Sequence, residues 1–305
     1  MNRKLFISTL ATLSAVACGD PLKDAQRIEE LRVLGARIAI DDAPDRATPE
    51  AGESASVEWL LADPSGLPAT AVWHMSVCVA EPTTFDVPYC RDAPLGSAEQ
   101  SEPSDATPSI AFTVPDADTL GDAKKLAVLA IFCDAGTVEV GDDFESTTCS
   151  GAATIQKASF EIFLDDGENS NENPKLDGAT LAFDDDPWPA DGSSVDCSDE
   201  ATPRLPADGK EHPVKLTLAA EAREKKAPEL GTVRSESLQI SHFSTLGEFD
   251  RRFSDVSPDD KNLTIEVPWK APGKLTSPTP ASFYFVVRDD RGGVSWLTRS
   301  VCIDP

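Results

Sequence analysis

Behind Asn2, Arg3 and Lys4 the chain runs mostly apolar from Leu5 to Val16. A dozen such residues is too short to cross a bilayer and suits the core of a secretory signal. Beyond it the pattern breaks into short alternating segments. Val72 to Cys78 sets Trp73, Met75 and Val77 on one face and His74, Ser76 and Cys78 on the other, the period of a half-buried strand. Leu126 to Phe132 is apolar on both faces, as the central strand of a sandwich should be. Val57 to Ala62, Ser159 to Leu164, Val214 to Leu218, Leu263 to Val267 and Phe283 to Val287 fit the same template. Asp289-Asp-Arg-Gly-Gly293 supplies turn residues for a final hairpin into Val294 to Leu297. Leu22 to Arg32 reads either as a short helix or as a plain tether. With 24 prolines and 18 glycines punctuating short strands, the pattern predicts an all-β chain.

The pattern also repeats. Gly35-Ala-Arg-Ile-Ala-Ile-Asp-Asp-Ala-Pro44 matches Gly178-Ala-Thr-Leu-Ala-Phe-Asp-Asp-Asp-Pro187 at six of ten positions. Pro49 and Gly52 precede one strand as Pro206 and Gly209 precede another, Val57 falling opposite Val214. Val114-Pro115 then answers Val267-Pro268, and Asp134-Ala-Gly136 answers Asp290-Arg-Gly292. Four matches in one order predict a duplicated domain. The expected organisation is a signal peptide over 1–17, a tether over 18–27, one sandwich over 28–166, an Asn/Asp-rich linker over 167–174 and a second sandwich over 175–305.

Charge and cysteines narrow the compartment. The chain carries 53 acidic against 27 basic residues, a net charge of −26, which repels nucleic acid and anionic lipid headgroups. Ala15-Val-Ala17 before Cys18 admits two readings, a lipoprotein box with Cys18 acylated, or ordinary cleavage after Ala17. Parity favours the first, because removing Cys18 from 7 cysteines leaves an even set for an oxidising compartment. Gly19 in place of an Asp leans toward the outer membrane. The expectation is therefore an exported protein held at the membrane by its N-terminal lipid, on the periplasmic face or the cell surface.

The Pro-x-x-Gly before the second strand, Trp269-Lys-Ala-Pro272 and Phe285-Val-Val-Arg-Asp-Asp-Arg-Gly-Gly-Val294 resemble bacterial Ig-like modules of the PKD and cadherin-like kind. Such modules stand in tandem on surface lipoproteins of the myxobacterial type. The resemblance implies two tandem Ig-like β-sandwiches and brings no catalytic residue with it. In an Ig sandwich the loop between the first two strands and the end of the last strand share a pole, which would bring Cys197 to Cys302. Closing that long loop is worth roughly 4–5 kcal/mol on chain entropy. The four cysteines of the first copy allow three pairings. Cys78–Cys90 and Cys133–Cys149, each closing a local insert, are the ones favoured.

Candidate chemistry is sparse. There is no Gly-x-Ser-x-Gly elbow, no His-Glu-x-x-His and no glycine-rich phosphate loop. His74, His212 and His242 are separated by whole strands and read as surface or strand-edge residues. No catalytic residue is assigned, and the chain reads as a non-enzyme. A structural calcium is the one ligand the sequence suggests. Asp165, Asp166, Glu168, Asn169, Asn171 and Asn173 crowd oxygens into the linker, and Asp289 and Asp290 would join them if the copies stack end to end. A solvated linker without a cation is the alternative. For glycan binding only Trp188, between two prolines in a polar loop, reads as a free ring. The functional expectation is a lipid-anchored binding, adhesion or spacer protein without catalytic activity, facing a surface protein or a polysaccharide. A glycan-binding module is the alternative.

Overall fold

The computed structural model describes residues 26–66, 69–81, 88, 90–165, 167, 170–188, 196–199, 202–225 and 233–305. Cys18, the signal, and Asp166, Glu168 and Asn169 lie outside the described residues. The chain is almost wholly β. Its first half holds β1 (Arg32–Ile40), β2 (Ser54–Ala62), β3 (Ala71–Val79), β4 (Gly96–Ser104), β5 (Ser109–Thr113), β6 (Lys125–Cys133), β7 (Thr137–Glu139), β8 (Thr148–Ser150) and β9 (Ile155–Phe163). One helical turn, α1 (Ala117–Leu120), starts where the Asp116 carboxylate accepts from the Thr119 N–H. The second half holds β10 (Thr180–Phe183), β11 (Asp186–Trp188), β12 (Arg204–Pro206), β13 (Glu211–Thr217), β14 (Leu238–Ser244), β15 (Glu248–Phe249), β16 (Phe253–Val256), β17 (Thr264–Lys270), β18 (Thr279–Asp289) and β19 (Val294–Asp304).

Two sheet pairs result, and they share a strand order. Sheet β1-β2-β5 faces β4-β3-β6-β9 around a core that includes Ile38, Val57, Trp59, Met75, Val128 and Phe132. Sheet β11-β10-β13-β17-β15 faces β12-β19-β18-β14-β16 around Leu181, Val214, Trp269, Phe283, Phe285 and Val301. Strip the short edge strands and β1-β2-β5 answers β10-β13-β17, while β4-β3-β6-β9 answers β16-β14-β18-β19. The register refines the repeat. Ile38 pairs with Val57 and its counterpart Leu181 pairs with Leu216, so the structural equivalent of Val57 is Leu216, two residues past the sequence match to Val214. An even slip keeps the same face inward.

Three inserts interrupt this shared order, and each carries a disulfide. Residues 80–95 lie between β3 and β4 and are tied by Cys78–Cys90; residues 134–154 lie between β6 and β9 and are tied by Cys133–Cys149. The insert between β11 and β13 is tied by Cys197–Cys302. These are the pairs anticipated from the chain order.

The two sandwiches pack side by side, which corrects the end-to-end stacking considered from sequence. A β-bulge between Val33 and Gly35 turns Leu34 out of the first core. Leu34, Leu60 and Ala62 then bury against Tyr284, Val286 and Val294 in a separate apolar seam. Gly35 lets the backbones close there, since a Cβ would press on Val286. Arg288 crosses the seam, donating to the Leu34 carbonyl at 2.7 Å and to the Ser241 hydroxyl at 3.0 Å. Residues 26–31, the described part of the segment before β1, are neither helix nor free tether. Gln26 and Arg27, placed in the tether by sequence, are held on β14, where Gln26 O accepts from Ser244 N–H and Arg27 bridges Ser244. The physical reason is Ile28, an apolar side chain that completes the seam.

Candidate functional site

Two places concentrate polar geometry, the joint between the sandwiches and a cleft on the first. At the joint, residues 171–174 run alongside residues 45–48. Ala47 N–H donates to Asn171 O and Asn173 N–H to Asp45 O, both at 2.7 Å. Asn171 N–H donates to the Thr48 hydroxyl at 2.9 Å, and its side-chain amide donates to Asp289 Oδ2 at 3.0 Å. Asn173 spans the halves outright. Its amide donates to the Ile38 carbonyl at 2.9 Å while its Oδ1 accepts from Val294 N–H at 3.0 Å. Asp289 Oδ1 accepts from Arg291 N–H and Gly293 N–H, both at 2.8 Å, and burial holds its carboxyl above the usual carboxylate range.

The cationic group at this joint is a side chain. Arg291 donates from Nε to Glu236 Oε1 at 2.5 Å, from one terminal nitrogen to Glu224 Oε2 at 2.6 Å and from the other to Ser170 O at 2.6 Å. Glu236 is 1% exposed and its second oxygen accepts from Glu224 N–H at 2.9 Å. Of the residues proposed for calcium, Asn171, Asn173 and Asp289 meet here through hydrogen bonds to one another and to backbone. Asp165 stands apart, its carboxylate capping Gly167 N–H at 2.8 Å, and Asp290 is exposed on the hairpin. Among the described residues no group of three or more His, Cys, Asp or Glu side chains has the geometry to hold a metal. The sequence missed Arg291, Glu224 and Glu236, although one arginine within Asp289-Asp-Arg-Gly-Gly was a visible oddity.

The cleft lies on the outer face of sheet β4-β3-β6-β9. Cross-strand registry lays down two rows, Glu99–His74–Ile131–Lys157 and Ser97–Ser76–Leu129–Ser159. Leu129 and Ile131 are the outward residues of β6, yet both are buried, because the two inserts rise on either side of them. One wall hangs from Cys78–Cys90, with Arg91 N–H on Val79 O at 2.9 Å and Leu95 N–H on Val77 O at 2.7 Å. The other is the β7–β8 hairpin, closed by Cys133–Cys149. Within it Asp143 Oδ1 accepts from the Ser146 hydroxyl at 2.6 Å and from Ser146 N–H at 2.7 Å, and these bonds, the hydroxyl first, draw the carboxyl below its usual range. Lys157 reaches up from β9 and donates to the Phe144 and Glu145 carbonyls at 2.9 and 2.6 Å, fixing the hairpin tip. The resulting space is about 520 Å³. Val140, on the rim, is 59% exposed.

Two expectations about aromatic and histidine residues are overturned. Trp188 is 5% exposed; β11 pairs with β10 so that Trp188 sits opposite Leu181 and packs edge-on against Phe183 and Phe283. The tight turn at Asp184 and Asp185, both at positive φ, folds that polar loop back and drives the ring inward. None of the 5 tryptophans is exposed. His242 is wholly buried beside Phe249, and burial pushes its pKa down to about 4. His212 is buried too, its two ring nitrogens facing Asp184 at 2.6 Å and Asp208 at 3.2 Å. Only His74, half-buried in the cleft floor, keeps the strand-face position expected of it.

No protein-family model matches the chain, and no curated protein matches it either.

Proposed function

We propose that the chain is an exported, lipid-anchored protein of two Ig-like domain copies that binds a partner through the first copy and uses the second as a fixed base. It performs no chemistry of its own. The observation that carries this reading is the cleft with two disulfide-clamped walls and an apolar strip of Leu129 and Ile131 in its floor. A space of this size, mostly preformed, is what small-ligand recognition requires, and clamped walls lower the ordering cost of binding. Three disulfides also suit an oxidising compartment, and the N-terminal position of Cys18 suits a lipid anchor. The polysaccharide alternative lacks an exposed tryptophan platform.

The test is a photo-cross-linking residue placed at Val140 on the cleft rim and, separately, at Phe253, an exposed apolar residue of the second sandwich. Both proteins would be displayed full-length on intact source cells. Adducts from Val140 alone support binding through the cleft. Equal adducts from both positions, or none, would sink it. Mass spectrometry of the N-terminal peptide, with Cys18→Ala as control, checks the lipid independently.

A further inference from the structure

Resting on that binding reading, we propose that the cleft takes a small organic cation, an ammonium group carried on an apolar body. Its shape and its charge argue this separately. The floor offers Leu129 and Ile131, flanked by Pro94, Val140 and Phe144 from the two walls, so the body of a ligand would be desolvated against carbon. The charges are all of one sign. Asp92, Asp142 and Asp143 line the cleft, and among the described residues no lysine or arginine does. Asp142 has no ion-pair partner among the described residues, whereas Asp92 faces Arg91 at 3.3 Å and Asp143 is engaged with Ser146.

A net charge of −26 adds a long-range field of the same sign. An anion entering this space meets three carboxylates and is offered only hydroxyl and imidazole donors, with no cationic group among the described lining residues. A neutral apolar molecule gains the floor but nothing to orient it. A cation with an apolar tail satisfies both surfaces. The polar row of Ser76 and Ser97 beside the apolar one gives the site an asymmetry that sets which end of such a ligand points where.

Three probes of equal length separate the contributions: n-hexylammonium, n-hexanol and n-hexanoate, titrated into the isotopically labelled oxidised protein and followed by amide and His74 ring resonances. The expected order is ammonium above alcohol by about tenfold, with hexanoate weakest, and the gap should narrow as salt rises. Asp142→Asn should cost the ammonium about threefold and leave the alcohol unchanged. Ser97→Trp, at an exposed floor-edge position that tolerates a large side chain, should block all three probes without moving the unfolding midpoint. If ammonium and alcohol bind alike, and Ser97→Trp removes both, the cleft binds but the cationic assignment is overturned. If no probe shifts a cleft resonance, the binding reading falls together with it.

Discussion

Removing Arg291 should cost more stability than any other single charge in the chain. Its guanidinium is the counter-ion of Glu236, a carboxylate 1% exposed that accepts Nε at 2.5 Å, and of Glu224 at 2.6 Å. It also holds Ser170 O at the entry to the buried linker. Arg291→Met keeps most of the side-chain volume and leaves Glu236 buried with only the Glu224 N–H as partner. Breaking a buried pair from one side costs about 3–5 kcal/mol, because the remaining charge is left without compensation. In a unit of this size that corresponds to a fall in Tm of roughly 6–20 °C. Lysine offers no fork for two carboxylates and a carbonyl, so Arg291→Lys should recover little. Adding Glu236→Gln to Arg291→Met removes the stranded charge and should restore about half of the loss. Urea unfolding of the oxidised protein at pH 7 measures all three variants against the parent. A loss below about 1 kcal/mol for Arg291→Met would place the pair among ordinary surface ion pairs and refute the account of the joint.

Other consequences are open to direct measurement. His242 has its folded pKa depressed to about 4 from 6.5, so the unfolded chain takes up a proton first as pH falls. Stability should therefore drop by about 3 kcal/mol between roughly pH 6.5 and 4, a slope that His242→Gln removes in pH-dependent urea titrations. His212 acts in the opposite direction. Burial lowers its pKa, but its bonds to Asp184 and Asp208 outweigh that and the net shift is upward, so its contribution is lost as pH rises. Trp188→Ala should destabilise by about 3–5 kcal/mol in calorimetry, the cost of emptying a core ring site, while leaving polysaccharide pull-downs unchanged. Replacing Cys133 and Cys149 by alanine opens a loop of 16 residues, and equilibrium unfolding should register a loss of about 3 kcal/mol. Melting in millimolar calcium against EDTA should give the same midpoint, because Asn173 Oδ1 already accepts from Val294 N–H and Asp289 Oδ1 from Arg291 and Gly293 N–H; a rise of several degrees would return the joint to a cation.

The strands were legible because their code is local. Alternation at Val72 to Cys78 and the turn residues of Asp289 to Gly293 each specify one element without reference to the rest of the chain. Cys78–Cys90 and Cys133–Cys149 were legible for a related reason, since each ties a local insert to the strand beside it, whereas Cys197–Cys302, 105 residues apart, was expected from the Ig-like resemblance. The side-by-side seam was not read, although its signal was present. Trp59-Leu60-Leu61-Ala62 and Phe283 to Val287 are apolar on both faces, and two such strands need two covers. Nothing local says that each covers the other across more than two hundred residues of chain. Asn171 and Asn173 failed in the opposite way. Asx-rich composition signals a solvated linker on average, and only long-range pairing with Ile38, Asp289 and Val294 turns those amides into buried fasteners.

The same two-faced strand is resolved differently in the two sandwiches, and the inserts decide which way. On β6 the outward row includes Leu129 and Ile131; on its counterpart β18 it includes Tyr284 and Val286. Either row left bare would be an exposed apolar patch on a charged surface. In the first sandwich, residues 90–95 and 134–154 rise over the row from both edges, and because they are walls and not a lid, a cleft remains between them. In the second sandwich the equivalent connections are only residues 245–252 and 290–293, too short to cover anything, so the outer face stays flat and the first sandwich docks there. The short 290–293 turn then brings Arg291 and Gly293 within reach of Ser170 and Asn171, and that contact locks the docking. A third copy could not add to the first in the same manner, since the walls that make the cleft occupy the docking face.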